Sequence, residues 1–212
     1  MKHLKFLLAI LLLSVSSQGQ DINFSGKENK ESLSKVKDKT IRKEVATFTE
    51  AGSKEPKSYI KLKELPLSKF GANYSLFKRD SVSVKLTTGK FVRGARKIKY
   101  TAKQAITIDD KPTWGTAGEL PQTQINSIDV YIGTDTVMIP RSAYQDLFEP
   151  SLAYKEINKK EGGLSVYYSN DKTRYYIAMS NGDGKGAYDV TFIIKNKKYF
   201  GRVLDSVTVV QD

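Results

Sequence analysis

The sequence predicts a mainly β fold: a single antiparallel β-sandwich or barrel-like domain of about ten short strands with one short helix. Three observations predict it. Apolar and polar residues alternate with a period of two in many short runs rich in Val, Ile, Thr and Tyr. Turn residues separate these runs at short intervals. After residue 50 no 12-residue stretch carries a helical apolar stripe.

The elements follow in chain order. Met1-Lys2-His3-Leu4-Lys5 is a basic start, Phe6 to Leu13 an apolar run, and Ser14 to Gln20 a small polar close. This is the three-part pattern of an export signal, and Ser17 and Gly19 are the small residues a signal peptidase needs. The apolar run is far shorter than the ~20 residues of a membrane span. Residues 1–19 therefore read as a signal peptide, and with no Cys to carry a lipid, no lipid anchor is expected. Residues 20–42 are rich in Lys, Glu and Ser and read as a polar, flexible segment. Leu33, Val36, Ile41, Val45 and Phe48 loosely fit a short helix, while 44–49 fits a strand equally well. The β domain is expected over 43–212.

Candidate strands are 59–63, 81–86, 91–100, 104–109, 124–132, 136–139, 163–169, 173–180, 187–195 and 198–204. Three hairpins can be registered. Thr87-Thr88-Gly89 suits a three-residue loop that sets Val84 opposite Val92 and Lys85 opposite Phe91. Asn170-Asp171 suits a two-residue turn pairing Val166 with Tyr175 and Leu164 with Ile177, with Tyr167 and Tyr176 on the other face. Asn196-Lys197 suits another, pairing Val190 with Val203 and Ile194 with Tyr199. Val166, Tyr175, Ile177, Val190 and Val203 are then expected to point inward. Pro140 to Phe148 reads as the short helical turn, with Ser142 as its cap and Pro150 beyond it.

Composition removes whole classes of chemistry. The 212 residues contain no Cys and one His, His3, which lies in the export signal. Ser-His-Asp and Cys-His catalysis, disulfides, and zinc sites built on His or Cys are excluded from the exported chain. No metal and no cofactor is expected. The formal net charge is +12, which favours anionic partners over cationic ones.

Three segments occur in a telling order: IDDKPTWGTAGELPQT at 108–123, VMIPRSAYQDLFEP at 137–150 and YYIAMSNGDGKGAY at 175–188. Together they resemble a family of uncharacterised secreted bacterial β-proteins. Its members carry Asp-Gly-Lys-Pro-x-Trp-Gly-Thr, Ile/Leu-Pro-x-x-Ala-Tyr-x-Asp-Leu and Met-Ser-Asn-x-Asp-Gly-x-Gly-x-Tyr segments. The match spans roughly residues 100–205, with Asp110 standing where members usually have Gly. The resemblance implies a secreted β fold and implies no particular activity.

Several groups are candidates for a binding surface. Trp114 sits in a Pro/Gly-bracketed turn, where it can stack on a ligand or plug one end of the core. The loop Asn181-Gly182-Asp183-Gly184-Lys185-Gly186 leads to Tyr188; it reads as a plain hairpin connection, a weak cation loop or a recognition loop. Its Gly-x-Gly-x-Tyr end resembles the inhibitory loop of periplasmic lysozyme inhibitors, although the basic charge of the chain opposes a basic target. Arg93, Lys97 and Lys99 share one face of the expected strand 91–100, in a stretch (85–103) without an acidic residue; they read as a site for an anionic polymer or as a solvated face. Tyr167 and Tyr176 complete the candidate surface. Glu119, Asp129, Asp135, Asp146, Glu149 and Asp189 are available for carboxylate-pair hydrolysis, but none lies in a recognisable catalytic motif. The functional expectation is a periplasmic or extracellular binding protein without catalytic activity, recognising an envelope carbohydrate, an anionic polymer or a protein. The alternatives are a small hydrolase of an envelope polymer and a lysozyme-inhibitor-like protein.

Overall fold

The computed structural model describes residues 29–54, 60–94, 96–100, 106–156, 159–181 and 186–207. The expected export signal 1–19 lies outside them, as do Gly182 to Lys185, Asp183 included.

The alternating runs become strands β1 (Lys63–Glu64), β2 (Leu67–Gly71), β3 (Tyr74–Arg79), β4 (Val82–Lys90), β5 (Ile98–Tyr100), β6 (Ile106–Ile108), β7 (Lys111–Pro112), β8 (Thr123–Ile132) and β9 (Asp135–Met138). They continue as β10 (Tyr154–Glu156), β11 (Lys159–Glu161), β12 (Leu164–Tyr168), β13 (Arg174–Asn181), β14 (Tyr188–Lys195) and β15 (Lys198–Ser206). Two five-stranded antiparallel sheets dominate, in the orders β2-β3-β4-β8-β9 and β1-β12-β13-β14-β15. Their facing sides share one core. Phe77, Val84, Leu86 and Val130 come from the first sheet, and Val166, Ile177, Val190 and Phe192 from the second. Two packed sheets with open edges make a sandwich, not a closed barrel.

Four details differ from the sequence expectation. Residues 91–94, 96 and 97 form no strand, and β4 continues through Thr87-Thr88-Gly89 paired with β8, with a register shift at Thr87/Thr88, so there is no hairpin at Gly89. Val92 is accordingly 65% exposed. The turn after β12 is longer than two residues, and Val166 meets Ile177 while Leu164 meets Met179. Ser169 and Asp171 wire that turn: Asp171 Oδ1 accepts from the Thr173 amide at 3.1 Å and from the Thr173 hydroxyl at 2.9 Å. The register is therefore displaced by two residues, which preserves the inward faces. Asn196-Lys197 is the expected two-residue turn, with both residues at positive φ and Ile194 opposite Tyr199. A β-bulge at Phe200 then adds one residue, so Val190 meets Leu204 and Val203 turns to the opposite face. Finally, the helical turn after Pro140 is a 3-10 turn at Arg141–Ala143; Pro140, not Ser142, holds the cap position.

The polar segment is folded from residue 29 on. Asp38 caps a short helix, α1 (Lys39–Val45), by accepting from the Thr40 and Ile41 amides. Leu33, Ile41 and Val45 are buried on the outer face of the second sheet against Tyr176, Ile193 and Val203, with Val36 and Phe48 beside them. The five apolar residues of the loose helical pattern thus form a second core. Composition hid it, because a few apolar residues suffice when a sheet face stands ready to receive them. No helix among the described residues is long and apolar enough to cross a membrane.

Candidate functional site

The three motif-bearing segments meet at one end of the sandwich. Trp114 bridges to Leu147, its amide donates to Asp146 O, and the Phe148 amide donates back to Trp114 O. Tyr188 packs edge-on to Trp114, and its hydroxyl donates to Phe148 O at 3.0 Å. The Gly115 amide donates to Gly186 O. Gly115 has φ +97°, and a Cβ there would lie 2.3 Å from Phe148 O, so the clasp requires glycine. Trp114 is 7% exposed and Tyr188 fully buried. Burial drives the Tyr188 hydroxyl well above the ordinary tyrosine range. Both aromatics are therefore core elements, and neither presents a surface to a ligand. Asn181 is buried as well, its Oδ1 accepting from the Ser151 amide.

The basic strip also reads differently in three dimensions. Asp109 and Asp110, both at positive φ, turn the chain from β6 to β7. That places Asp110 between Lys97 Nζ at 3.0 Å and Lys99 Nζ at 2.5 Å. Hydrogen bonds from Lys99 and then Lys97 hold the Asp110 carboxyl below its usual range. Arg96 pairs with Asp109. Arg93 is exposed in the loop before β5 and shares no strand face with the two lysines. Two of the three expected like charges, Lys97 and Lys99, thus share a carboxylate from within the chain.

Tyr167 and Tyr176 do lie on the outer face of the second sheet, beneath the N-terminal segment. Phe48 stacks on Tyr167 with ring centroids 4.5 Å apart. Tyr176 is fully buried and donates to Glu44, which also receives Arg174 Nε at 2.8 Å and Nη2 at 3.0 Å.

Beyond Phe48 the same face changes character. The row Ser165, Ala178, Thr191 follows the row Tyr167, Tyr176, Ile193, and Ser180 pairs with Asp189 beyond it. Small side chains replace rings, so the sheet surface sinks into a pit of about 60 Å³ roofed by Phe48 and Thr49. Two oxygens on residues that line this pit, Asp189 Oδ1 and Thr191 Oγ1, are buried without a hydrogen-bond partner among the described residues. Asp189 Oδ2 accepts from the Glu50 amide at 3.3 Å. Asp205 stands directly opposite Asp189 on β15 and accepts from Ser32 Oγ at 2.7 Å and the Leu33 amide at 3.1 Å. Neither carboxylate has an ion-pair partner among the described residues.

Of the other carboxylates considered for hydrolysis, most serve the fold. Asp146 holds Arg202, Asp135 holds Lys197, Glu149 receives the Gln122 and Thr123 amides, and Asp129 receives Ser127. Glu119 is exposed. The described residues contain no group of three His, Cys, Asp or Glu side chains that could hold a metal ion. The pit escaped the sequence reading because it depends on which strands are neighbours. Its one legible trace is the run of small and polar residues, Ser165, Ala178, Ser180, Asp189 and Thr191, on the face opposite the apolar alternation. No protein-family model, no curated protein and no solved structure matches the chain.

Proposed function

We propose that this chain is an exported, non-catalytic binding protein of the cell envelope that takes its ligand in the pit between Phe48 and the outer face of β12–β14. The observation that carries this reading is the pair of buried, unpartnered oxygens on Asp189 and Thr191. Buried polar groups are nearly always hydrogen-bonded, and the exceptions mark strain or a place for something else. The three-part N-terminus and the motif resemblance to secreted β-proteins support export to the periplasm or beyond.

The export half predicts a mature product beginning near Gln20. Intact-mass analysis of secreted material checks it, and retention of Met1 to Gly19 on that material refutes it. The binding half is tested with Ala178→Phe, which fills the pit from its floor. Envelope extract is expected to raise the Tm of the unaltered protein and not that of the folded variant. Equal stabilisation of both moves the ligand away from the pit. Release of soluble fragments from the extract by the protein would favour the hydrolase alternative.

A further inference from the structure

We infer that the pit accepts the head of a small primary alkylammonium ligand, an inference that rests on the pit being the binding site. Asp189 and Asp205 are cross-strand partners on one face, and like charges placed directly opposite each other are destabilising. This occurs in a chain of net charge +12, in which Asp38, Glu44, Asp110, Asp135 and Asp146 each have a cation beside them. Asp205 is satisfied by Ser32 and Leu33, so the outstanding demand falls on Asp189 Oδ1.

The geometry selects among cations. Asp189 offers one free oxygen, because its Oδ2 is held by the Glu50 amide. A guanidinium fork prefers both oxygens of a carboxylate, whereas an ammonium is a compact charge with three N–H donors. Thr191 Oγ1, two residues along the same strand and 1% exposed, supplies a second acceptor. A Ca²⁺ ion calls for about six to eight oxygens, which this set does not provide. The pit, of about 60 Å³, has room for a compact cationic head. Phe48 and Tyr167 form an apolar wall for the rest of the chain, and Ser180 marks the exposed mouth.

The test titrates the full chain, followed by backbone NMR, with n-butylammonium, n-butanol, tetramethylammonium and Ca²⁺. Saturable shifts at Thr49, Ala178 and Thr191 are expected with n-butylammonium alone. Asp189→Asn should weaken that binding roughly tenfold or more, as expected for losing a charge-assisted hydrogen bond. The same substitution should raise the Tm of the unliganded protein by relieving repulsion from Asp205, which shows that the variant folds. Comparing 1,5-diaminopentane with a lysyl peptide then separates a free amine from a peptide side chain as the source. Equal responses to n-butanol and n-butylammonium, no saturable response to any probe, or unchanged affinity in Asp189→Asn would overturn the inference. If the ammonium series fails while extract still stabilises the unaltered protein and not Ala178→Phe, the pit remains the site and only the ligand class is wrong.

Discussion

Glu44 shows how much one side chain carries. It lies on α1, is 3% exposed, and receives both Arg174 and Tyr176 from the sheet. Glu44→Ala leaves Arg174 Nε and Nη2 and the buried Tyr176 hydroxyl without their acceptor, while Arg174 Nη1 keeps Asp171, at a cost of about 3 kcal/mol. Urea denaturation measures this; a loss below about 1 kcal/mol, the size of a surface pair, shows the pair to be dispensable. Asp171 carries a pH dependence. Hydrogen bonds from Ser169 and then from the Thr173 amide hold its carboxyl well below the ordinary range. A carboxylate depressed in the folded state adds stability that is present above its unfolded pKa of about 3.9 and is lost as pH falls below it. Asp171→Asn should therefore flatten the acid limb of a Tm–pH profile, and a limb of unchanged slope would assign the effect to other carboxylates. Neither role was legible in the sequence. Glu44 sits in a stretch, 44–49, that fits a strand as well as a short helix, and Asp171 in one that reads as a two-residue turn.

At the level of elements, the sequence was readable where alternation and burial agree. β8, β9 and the β12–β15 meander appear within a residue or two of expectation. β3 was missed because its alternation is inverted. Ser75 points inward and is fully buried, donating to Ala153 O at 2.7 Å, while Tyr74 and Leu76 lie on the outer side. The bulge in β15 is another failure, since a bulge changes facing without changing composition. It also yields a prediction. Deleting Phe200, which is 54% exposed, leaves Gly201 next to Tyr199 and keeps Val203 opposite Thr191. Both faces retain their side chains, so stability should change by about 1 kcal/mol or less. Hydrogen exchange at Val203 and Leu204 checks the outcome; lost protection there would mean that the bulge is required for pairing.

The whole molecule buries an unusual set of phenols. Tyr175, Tyr176, Tyr188 and Tyr199 are all held above the ordinary tyrosine range, first by burial, with Tyr199 pushed up to about 12. A group whose pKa is raised on folding contributes stability that is full below its unfolded pKa, here about 10, and is lost as pH rises through the folded value. Alkaline titration should therefore show these four ionising together with loss of the fold, in one cooperative tyrosinate absorbance step. Gradual ionisation of all twelve tyrosines in a still-folded protein would contradict the burial. The sandwich also joins the first and last of its described segments. Asn29 donates to Leu204 O, the Leu204 amide donates to Glu31 O, Ser32 donates to Asp205, and Glu31 pairs with Arg202. The two ends of the described residues therefore lie side by side. A circular permutant that links residue 207 to residue 29 and opens at the exposed Gly133-Thr134 turn would keep every strand pairing. In vectorial synthesis the natural opening makes the N-terminal segment wait for the last strand, whereas the permutant would deliver the two in direct succession and should fold with a shorter delay.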